Sequence, residues 1–449
     1  MLTDTTTLPE LREWQARLLA ERTEARLNVL ASPRTGKTRY ACEWLLTLPP
    51  GPVVVSAPLR VCPLWVESLE AQGLSVISAF DRPTSQTKAA LRRGWTGVLV
   101  INVDKLHPLR DVLVHAQAFI CDEVHETSSQ SSQRGRAARM IARRVKFYRG
   151  LTGTAITNHH GSLWAPLVMA GEFSGSWGSF MDEYTRRDTY FPSKVLEHLK
   201  PAELYVRVLR CSKIVRREDV FGPDTFQTIK RDIILPPEAR ALYTKLRRDW
   251  VLDEGRIQVD GTHTLARMTR LQQLTSGFLP NEDGGYETVH TAKIDAALGD
   301  LDEVFAEGEK AVIFHRFILE GQAMVEAIQR TTRVPTYVIN GSLSAAESES
   351  QRAAFTRRKG AAAIVVQIQS GAVGISLAEA THALYLSRTF SFVRDEQSRD
   401  RIYKPGCVRT ITHYACPHSV DTFIAKALSE KRDVHEALRY ADVATIAGD

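Results

Sequence analysis

Between Leu11 and about residue 160 the chain alternates short apolar runs with stretches of helical period, in the order LNVLAS, TRYACEWLLTL, GPVVVSAP, GVLVINV, AFICDE and YRGLTGT. Short β-branched runs joined through amphipathic segments of about 10–15 residues predict parallel strands covered by helices. From about Ser162 to Gly285 the pattern changes to long helical segments such as PEARALYTKLRRDWVLDEG and TLARMTRLQQLTSG, with few strand-like runs. After Thr291 the alternation returns in IDAALGDLDEVFAEG, KAVIFHRF, VPTYVIN, AAAIVVQIQ, HALYLS and TITHYAC. The reading is an α/β chain: a parallel-sheet domain over 1–165, a mainly helical insertion and linker over 166–287, and a second parallel-sheet domain over 288–449. No low-complexity segment or short-period repeat interrupts it.

A length of 449 residues fits two or three compact units. Hydrophobic residues at 43% and charged residues at 24% exclude a largely disordered or fibrous chain. The net charge of +6 is compatible with an anionic partner but too small to name one. Six cysteines occur without any CxxC spacing, several inside apolar runs, which favours buried reduced thiols over disulfides or a zinc cage. The N-terminus MLTDTTTLPELREWQ has no basic region followed by an apolar stretch, and no window approaches about 18 consecutive apolar residues. A cytoplasmic protein without a membrane partner is expected.

The run LNVL leads into Ala31-Ser32-Pro33-Arg34-Thr35-Gly36-Lys37-Thr38 and then a helical pattern, the strand–loop–helix order that a phosphate-binding loop requires. Backbone N–H groups and the helix N-terminus would cradle a β-phosphate, Lys37 would reach the β/γ oxygens and Thr38 would hold Mg²⁺. Ala31 stands where the pattern has its first glycine, and a bare GKT also occurs on ordinary surface loops. Downstream, AFIC ends in Asp122-Glu123-Val124-His125, two carboxylates at the carboxyl end of a predicted strand, where α/β sheets bind ligands. Asp122 suits a Mg²⁺ ligand and Glu123 a base for the attacking water; the competing reading is an acidic turn capping a helix. A zinc reading of His125-Glu126 fails because Ser129 stands where HExxH needs its second histidine.

With Leu11-Arg12-Glu13-Trp14-Gln15, GKT, VVVSAPLRVCPLWVESLE, DEVH and Leu151-Thr152-Gly153-Thr154-Ala155-Ile156-Thr157-Asn158, the sequence resembles superfamily 2 helicases and, within them, Swi/Snf-type translocases. The family usually has proline at the position of Ala155. Arg216-Arg217-Glu218-Asp219-Val220, Leu235-Pro236 and Tyr243 are similar to the arginine-pair and leucine-proline segment that separates this subfamily from RNA helicases. VIFHRF, Asn340-Gly341-Ser342 and Gln369-Ser370-Gly371-Ala372-Val373-Gly374 resemble the fourth and fifth motifs. Gln397-Ser398-Arg399-Asp400-Arg401-Ile402-Tyr403-Lys404-Pro405-Gly406 resembles the sixth, with Arg401 at its first arginine and Lys404 where the second, the γ-phosphate finger, usually stands. Lysine and arginine are not interchangeable at such sites.

The resemblance implies two RecA-like domains that bind ATP and Mg²⁺. Gln15 would read adenine; Pro33, Arg34, Thr35, Gly36, Lys37, Thr38 and Gly374 would bind the nucleotide. Thr38 and Asp122 would hold the metal, and Glu123, Arg401 and Lys404 would be catalytic. Thr152, Gly153, Thr154 and Gln397 would couple the nucleotide to motion, while Ser370 and Gly371 would approach DNA. The segment RGRAARMIARRVKFYR, residues 134–149, holds seven basic and no acidic side chains. Arg136, Arg139 and Arg143 are expected on one helix face, with Ala138, Ile141 and Val145 turned away; taken alone this is a solvated face, and beside a motor site it is a phosphate-backbone contact. Trp14, Trp44 and Trp65 read as packing residues, and His159-His160 as a loop pair that either touches DNA or has a passive loop role.

The implied function is ATP-dependent translocation along double-stranded DNA by a monomer of minimal viral or prokaryotic form, no further domain being recognisable. A branch-migrating or strand-separating helicase is the alternative within the class. A catalytically weak DNA-binding clamp, suggested by Ala31 and Lys404, is the alternative outside it.

Overall fold

A computed structural model describes residues 10–21, 24–153, 160–188, 195–223, 225–254, 261–281, 285–371 and 375–439. The chain divides into two compact units, the first formed by the residues up to Pro223 together with those from Asp433 on, the second by Asp224–Arg432. In unit 1, strands β1 (Arg26–Ala31), β2 (Pro52–Ala57), β3 (Val76–Ser78), β4 (Gly97–Asn102), β5 (Ala118–Asp122) and β6 (Phe147–Thr152) join a later strand, β9 (Ser212–Val215), in one parallel sheet of order β3-β4-β2-β5-β6-β1-β9. Between β6 and β9 lie the antiparallel pair β7 (Thr185–Arg187) and β8 (Val195–His198) and helices Trp164–Ala170, Trp177–Tyr184 and Pro201–Arg210.

The apolar runs are continuous because both faces of the sheet are covered. Alternate residues feed two cores: Val54, Leu99 and Phe119 pack towards helices Leu106–Leu113 and Gln133–Arg144, while Val53, Val55, Val100 and Ile120 pack with Tyr40, Trp44 and Trp65.

Unit 2 repeats the scheme. Strands β10 (Phe226–Asp232), β13 (Lys310–His315), β14 (Thr336–Ile339), β15 (Ala362–Gln367), β16 (His382–Tyr385) and β17 (Arg409–Ala415) form a parallel sheet of order β10-β17-β16-β13-β15-β14. A hairpin of β11 (Phe278–Pro280) and β12 (Tyr286–Thr288) lies between β10 and β13 along the chain. Two RecA-like parallel-sheet units are thus present, as expected.

The stretch 166–287 is not a separate helical body. It supplies β9 to the first sheet and β10 to the second, so the expected insertion is divided between the units. These strands escaped the pattern because β10 is largely exposed and β9 is only four residues long with two partly exposed positions. All six cysteines are free thiols and five are buried, and no described helix is long and apolar enough to cross a membrane.

Candidate nucleotide site and neighbouring surfaces

Strands β5, β6 and β1 are adjacent, and their carboxyl ends carry Asp122, Thr152 and the loop Ser32–Gly36 respectively. Helix Lys37–Leu46 begins immediately after that loop. Gly36 has φ +101°, and a Cβ there would meet Gln15 Nε2 at 2.5 Å, so only glycine fits this junction. Arg34, with φ +65°, adopts the left-handed region without that licence. The Lys37 ammonium lies back on the loop, donating to Ala31 O at 2.8 Å.

Two residues brace the loop from helix Glu13–Glu21. Gln15, fully buried, donates from Nε2 to Gly36 O at 2.8 Å and accepts Arg12 N at 2.7 Å. Trp14 Nε1 donates to Thr35 O at 3.1 Å. The Gln15 amide therefore fixes the loop's shape, and Trp14 is more than a packing residue.

Asp122 is buried at the end of β5; Trp65 Nε1 donates to its Oδ2 at 2.8 Å and the Glu123 amide to its Oδ1 at 3.0 Å. Burial, followed by the Glu123 charge, pushes the Asp122 carboxyl up to about 6. Glu123 sits at φ +49°, a strained conformation of the kind stored at functional sites. Its burial would raise its carboxyl, but the hydrogen bond and charge of His125 outweigh that, with help from Lys37 and Thr152, and hold it down to about 2. Glu123 Oε2 lies 3.2 Å from His125 Nδ1 and accepts the Thr152 hydroxyl at 3.2 Å; His125 Nδ1 is 2.9 Å from Thr152 Oγ1. Gly153 is held close to the loop, since a Cβ there would lie 3.0 Å from Pro33 Cδ. Trp65, expected only to pack, also holds the Asp122 carboxylate, and His125, for which the sequence offers only a failed zinc pattern, holds Glu123; a tryptophan and a histidine flanking an acidic strand end are the available signals.

The basic helix Gln133–Arg144 is where an expected site residue moves. Arg139 is buried, donating to Thr127 O at 3.4 Å, Ser129 O at 3.3 Å and Gln130 O at 2.9 Å, with its guanidinium 4.5 Å from the Trp164 ring. Burial and the neighbouring Arg143 and Arg136 charges lower it to about 10. Arg139 is thus a clamp on the turn that follows the carboxylates, not a DNA contact. Arg136 and Arg143 are exposed, together with Arg144 and Met140. An arginine one turn from each of two exposed ones still faces inward here, because the buried stripe is wide enough to admit a stem whose head finds three carbonyls.

In unit 2, Gln397 lies half-buried on helix Phe392–Asp400. Arg401 donates to Ile375 O at 3.0 Å and its carbonyl accepts Leu377 N at 2.8 Å, tying the sixth motif to the end of the fifth. Arg399 lies over Phe226 at 4.5 Å. Lys404 is exposed and 3.8 Å from Glu379. Ser370 and Gly371 end the short helix Ile368–Gly371; Thr154 and Gly374 lie outside the described residues. Thr38, the helix's second residue, is half-buried beside the loop. A hydroxyl and a carboxylate are the oxygen donors a hard divalent cation takes, so the residues fit Mg²⁺.

Residues 296–406 match the family model of the helicase conserved C-terminal domain, which makes unit 2 a helicase-type unit. With the ordered motifs and the relatives below, this supports the resemblance to Snf2-like superfamily 2 helicases. It is 24% identical over 379 residues to YwqA of Bacillus subtilis (strain 168), a protein provisionally named an ATP-dependent helicase/translocase; the match covers 80% of this chain and 40% of that one. It is 22% identical over 347 residues to the Zorya protein ZorD of Escherichia coli O139:H28 (strain E24377A / ETEC), covering 73% of this chain and 32% of ZorD. The chain thus spans less than half the length of either relative. A solved Sulfolobus solfataricus SWI2/SNF2 ATPase core in complex with dsDNA aligns with 98% of this chain and 95% of its own, at 18% identity and a TM-score of 0.42.

Proposed function

We propose that the chain is an ATP- and Mg²⁺-dependent motor that translocates along double-stranded DNA. The observation that carries this reading is the convergence of Lys37, Asp122, Glu123 and Thr152 at the carboxyl ends of three adjacent strands. Lys37 binds the β/γ-phosphate oxygens, moving from its carbonyl partners on the loop. Thr38 and Asp122 hold Mg²⁺, with Trp65 and the Glu123 amide fixing the Asp122 carboxylate. Bound there, Mg²⁺ neutralises charge on the transferring phosphoryl group. Glu123, kept ionised by His125 and Thr152, takes the proton of the attacking water. Arg401 and Lys404 stabilise charge that develops on the γ-phosphate. The exposed Arg136 and Arg143, with Ser370 and Gly371, contact the DNA backbone, so occupancy of DNA and the state of Thr152 are linked through one short stretch of chain.

The test is phosphate release measured without nucleic acid and with single-stranded DNA, duplex DNA or RNA. Strong stimulation by blunt duplex is expected; turnover indifferent to every nucleic acid would leave the weak-clamp reading.

A further inference from the structure

A groove in unit 2, at the carboxyl ends of β13 and β15, takes no part in the nucleotide chemistry described above. Phe278 and Tyr286, from the two strands of the hairpin, and Phe317 form an edge-to-face row: Phe278 lies 5.3 Å from Phe317 at 78° and 5.9 Å from Tyr286 at 72°. Phe278 is buried and anchors the row, whereas Tyr286 is 51% and Ile318 56% exposed. Both line the groove. Arg316 closes one side, its guanidinium 5.1 Å from the rings of both Phe317 and Phe390, donating to Thr269 Oγ1 at 3.3 Å and bonded to Gln272 Oε1. The Gln367 amide is held by Arg316 O at 3.3 Å and Gly341 N at 3.2 Å. No carboxylate lines this groove among the described residues. The exposed Arg270 stands beside it, 3.4 Å from Gln273 Oε1.

An exposed aromatic face, an exposed aliphatic side chain, fixed amides and two arginines, with no carboxylate in the lining itself, suit a flat neutral ring carried on an anionic backbone. We propose that this groove takes an unpaired nucleobase of a single strand, stacked on Tyr286, with the flanking phosphates towards Arg316 and Arg270. The charge decides the occupant, since an apolar peptide would have no use for two arginines. Bases inside a duplex have no face to offer, so the groove distinguishes a single strand or fork from blunt DNA. This deepens the proposed function by naming a strand state, and rests on it only in placing the chain on DNA.

The experiment uses the full chain with Tyr286→Ala and Tyr286→Phe. The probes are a short oligodeoxythymidine bearing one 2-aminopurine, and a blunt duplex, at one salt concentration. The parent should bind and quench the single strand. Tyr286→Ala should lose roughly tenfold in single-strand affinity, the scale of one lost base stack, while duplex affinity stays put and Tyr286→Phe retains both. A parent that ignores the single strand overturns the proposal, as does a Tyr286→Ala chain that binds it normally or loses both probes equally. Duplex-stimulated phosphate release on the same samples judges the motor reading independently: selective single-strand loss in a chain with no such release keeps the groove and removes the motor, and the converse does the reverse.

Discussion

The Thr152 hydroxyl donates to Glu123 Oε2 at 3.2 Å, joining the end of β6 to the strained acidic residue that follows β5. Because His125 Nδ1 approaches both, the three form a closed triangle in which any movement of the segment after β6 alters the partners of the proposed base.

Thr152→Val keeps the shape of the strand end and deletes that donor. Losing one charge-assisted hydrogen bond of about 1.5–3 kcal/mol predicts turnover lower by roughly ten- to a hundredfold with nucleotide affinity little changed. Single-turnover phosphate release alongside fluorescent-nucleotide binding checks this. Parent-like turnover would remove the coupling role.

Trp65→Phe retains most of the buried ring but cannot donate to Asp122 Oδ2. Partners that orient a ligating carboxylate typically matter by about 10–100-fold in metal affinity, so the Mg²⁺ concentration for half-maximal turnover should rise by about tenfold. Saturating Mg²⁺ should restore the rate; an unchanged Mg²⁺ titration would show that Trp65 only fills space.

The basic helix should separate into two kinds of arginine. Arg139→Ala removes three carbonyl contacts and the Trp164 stack, a loss of roughly 2–4 kcal/mol in unfolding free energy. Arg136→Ala with Arg143→Ala should leave stability within about 0.5 kcal/mol per site. The pair should nonetheless lower the salt dependence of duplex binding by a slope of nearly two. Equal stability losses in both variants, or an unaltered slope, would contradict the division.

Lys404→Ala should lower turnover with little change in nucleotide affinity if the ammonium acts on the γ-phosphate, and Lys404→Arg tests whether a fork does better. Should Lys404→Ala turn over normally while Arg401→Ala is inactive, Arg401 is the finger and Lys404 a surface partner of Glu379.

His315 offers a pH test of unit 2. Burial lowers it to about 4, while its ring nitrogen lies 2.8 Å from Phe317 O. A depressed histidine stabilises the fold above its unfolded pKa near 6.5 and loses that contribution as pH falls towards 4, a change of about 3 kcal/mol. Glu320, raised by burial, acts in the opposite sense, so the difference between parent and His315→Gln isolates the histidine. Denaturant titrations at neutral and mildly acidic pH should show a shallower loss in the variant.

The strands that frame the sites were readable because each is buried on both faces and spells a continuous apolar run, as in VVVSA and AAIVVQ. The phosphate loop and DEVH were readable because backbone geometry and charge leave few residue choices there. Arg139 was not: helical spacing says which side chains share a face, but not which arginine stem finds enough carbonyls to bury its head. Nor was Trp65, whose ring satisfies the apolar pattern while its N–H holds Asp122. The division at Pro223 escaped because β9 and β10 derive their strand character from partners distant in sequence.

β9 also imposes an order of events on synthesis. Asn28 pairs with Ser212 and Ala31 with Val215, while the Ser32 amide donates to Val215 O at 3.0 Å. A nascent chain that has exposed every nucleotide motif of unit 1 still presents β1 as a raw edge, ready to pair with another chain. Closing so long a loop is slow relative to local helix formation, so the ribosome-bound intermediate must keep its phosphate-loop strand uncovered until residue 215 has emerged. Substitutions that weaken β9 should therefore show first as aggregation during expression, in protein whose purified folded fraction retains normal nucleotide affinity.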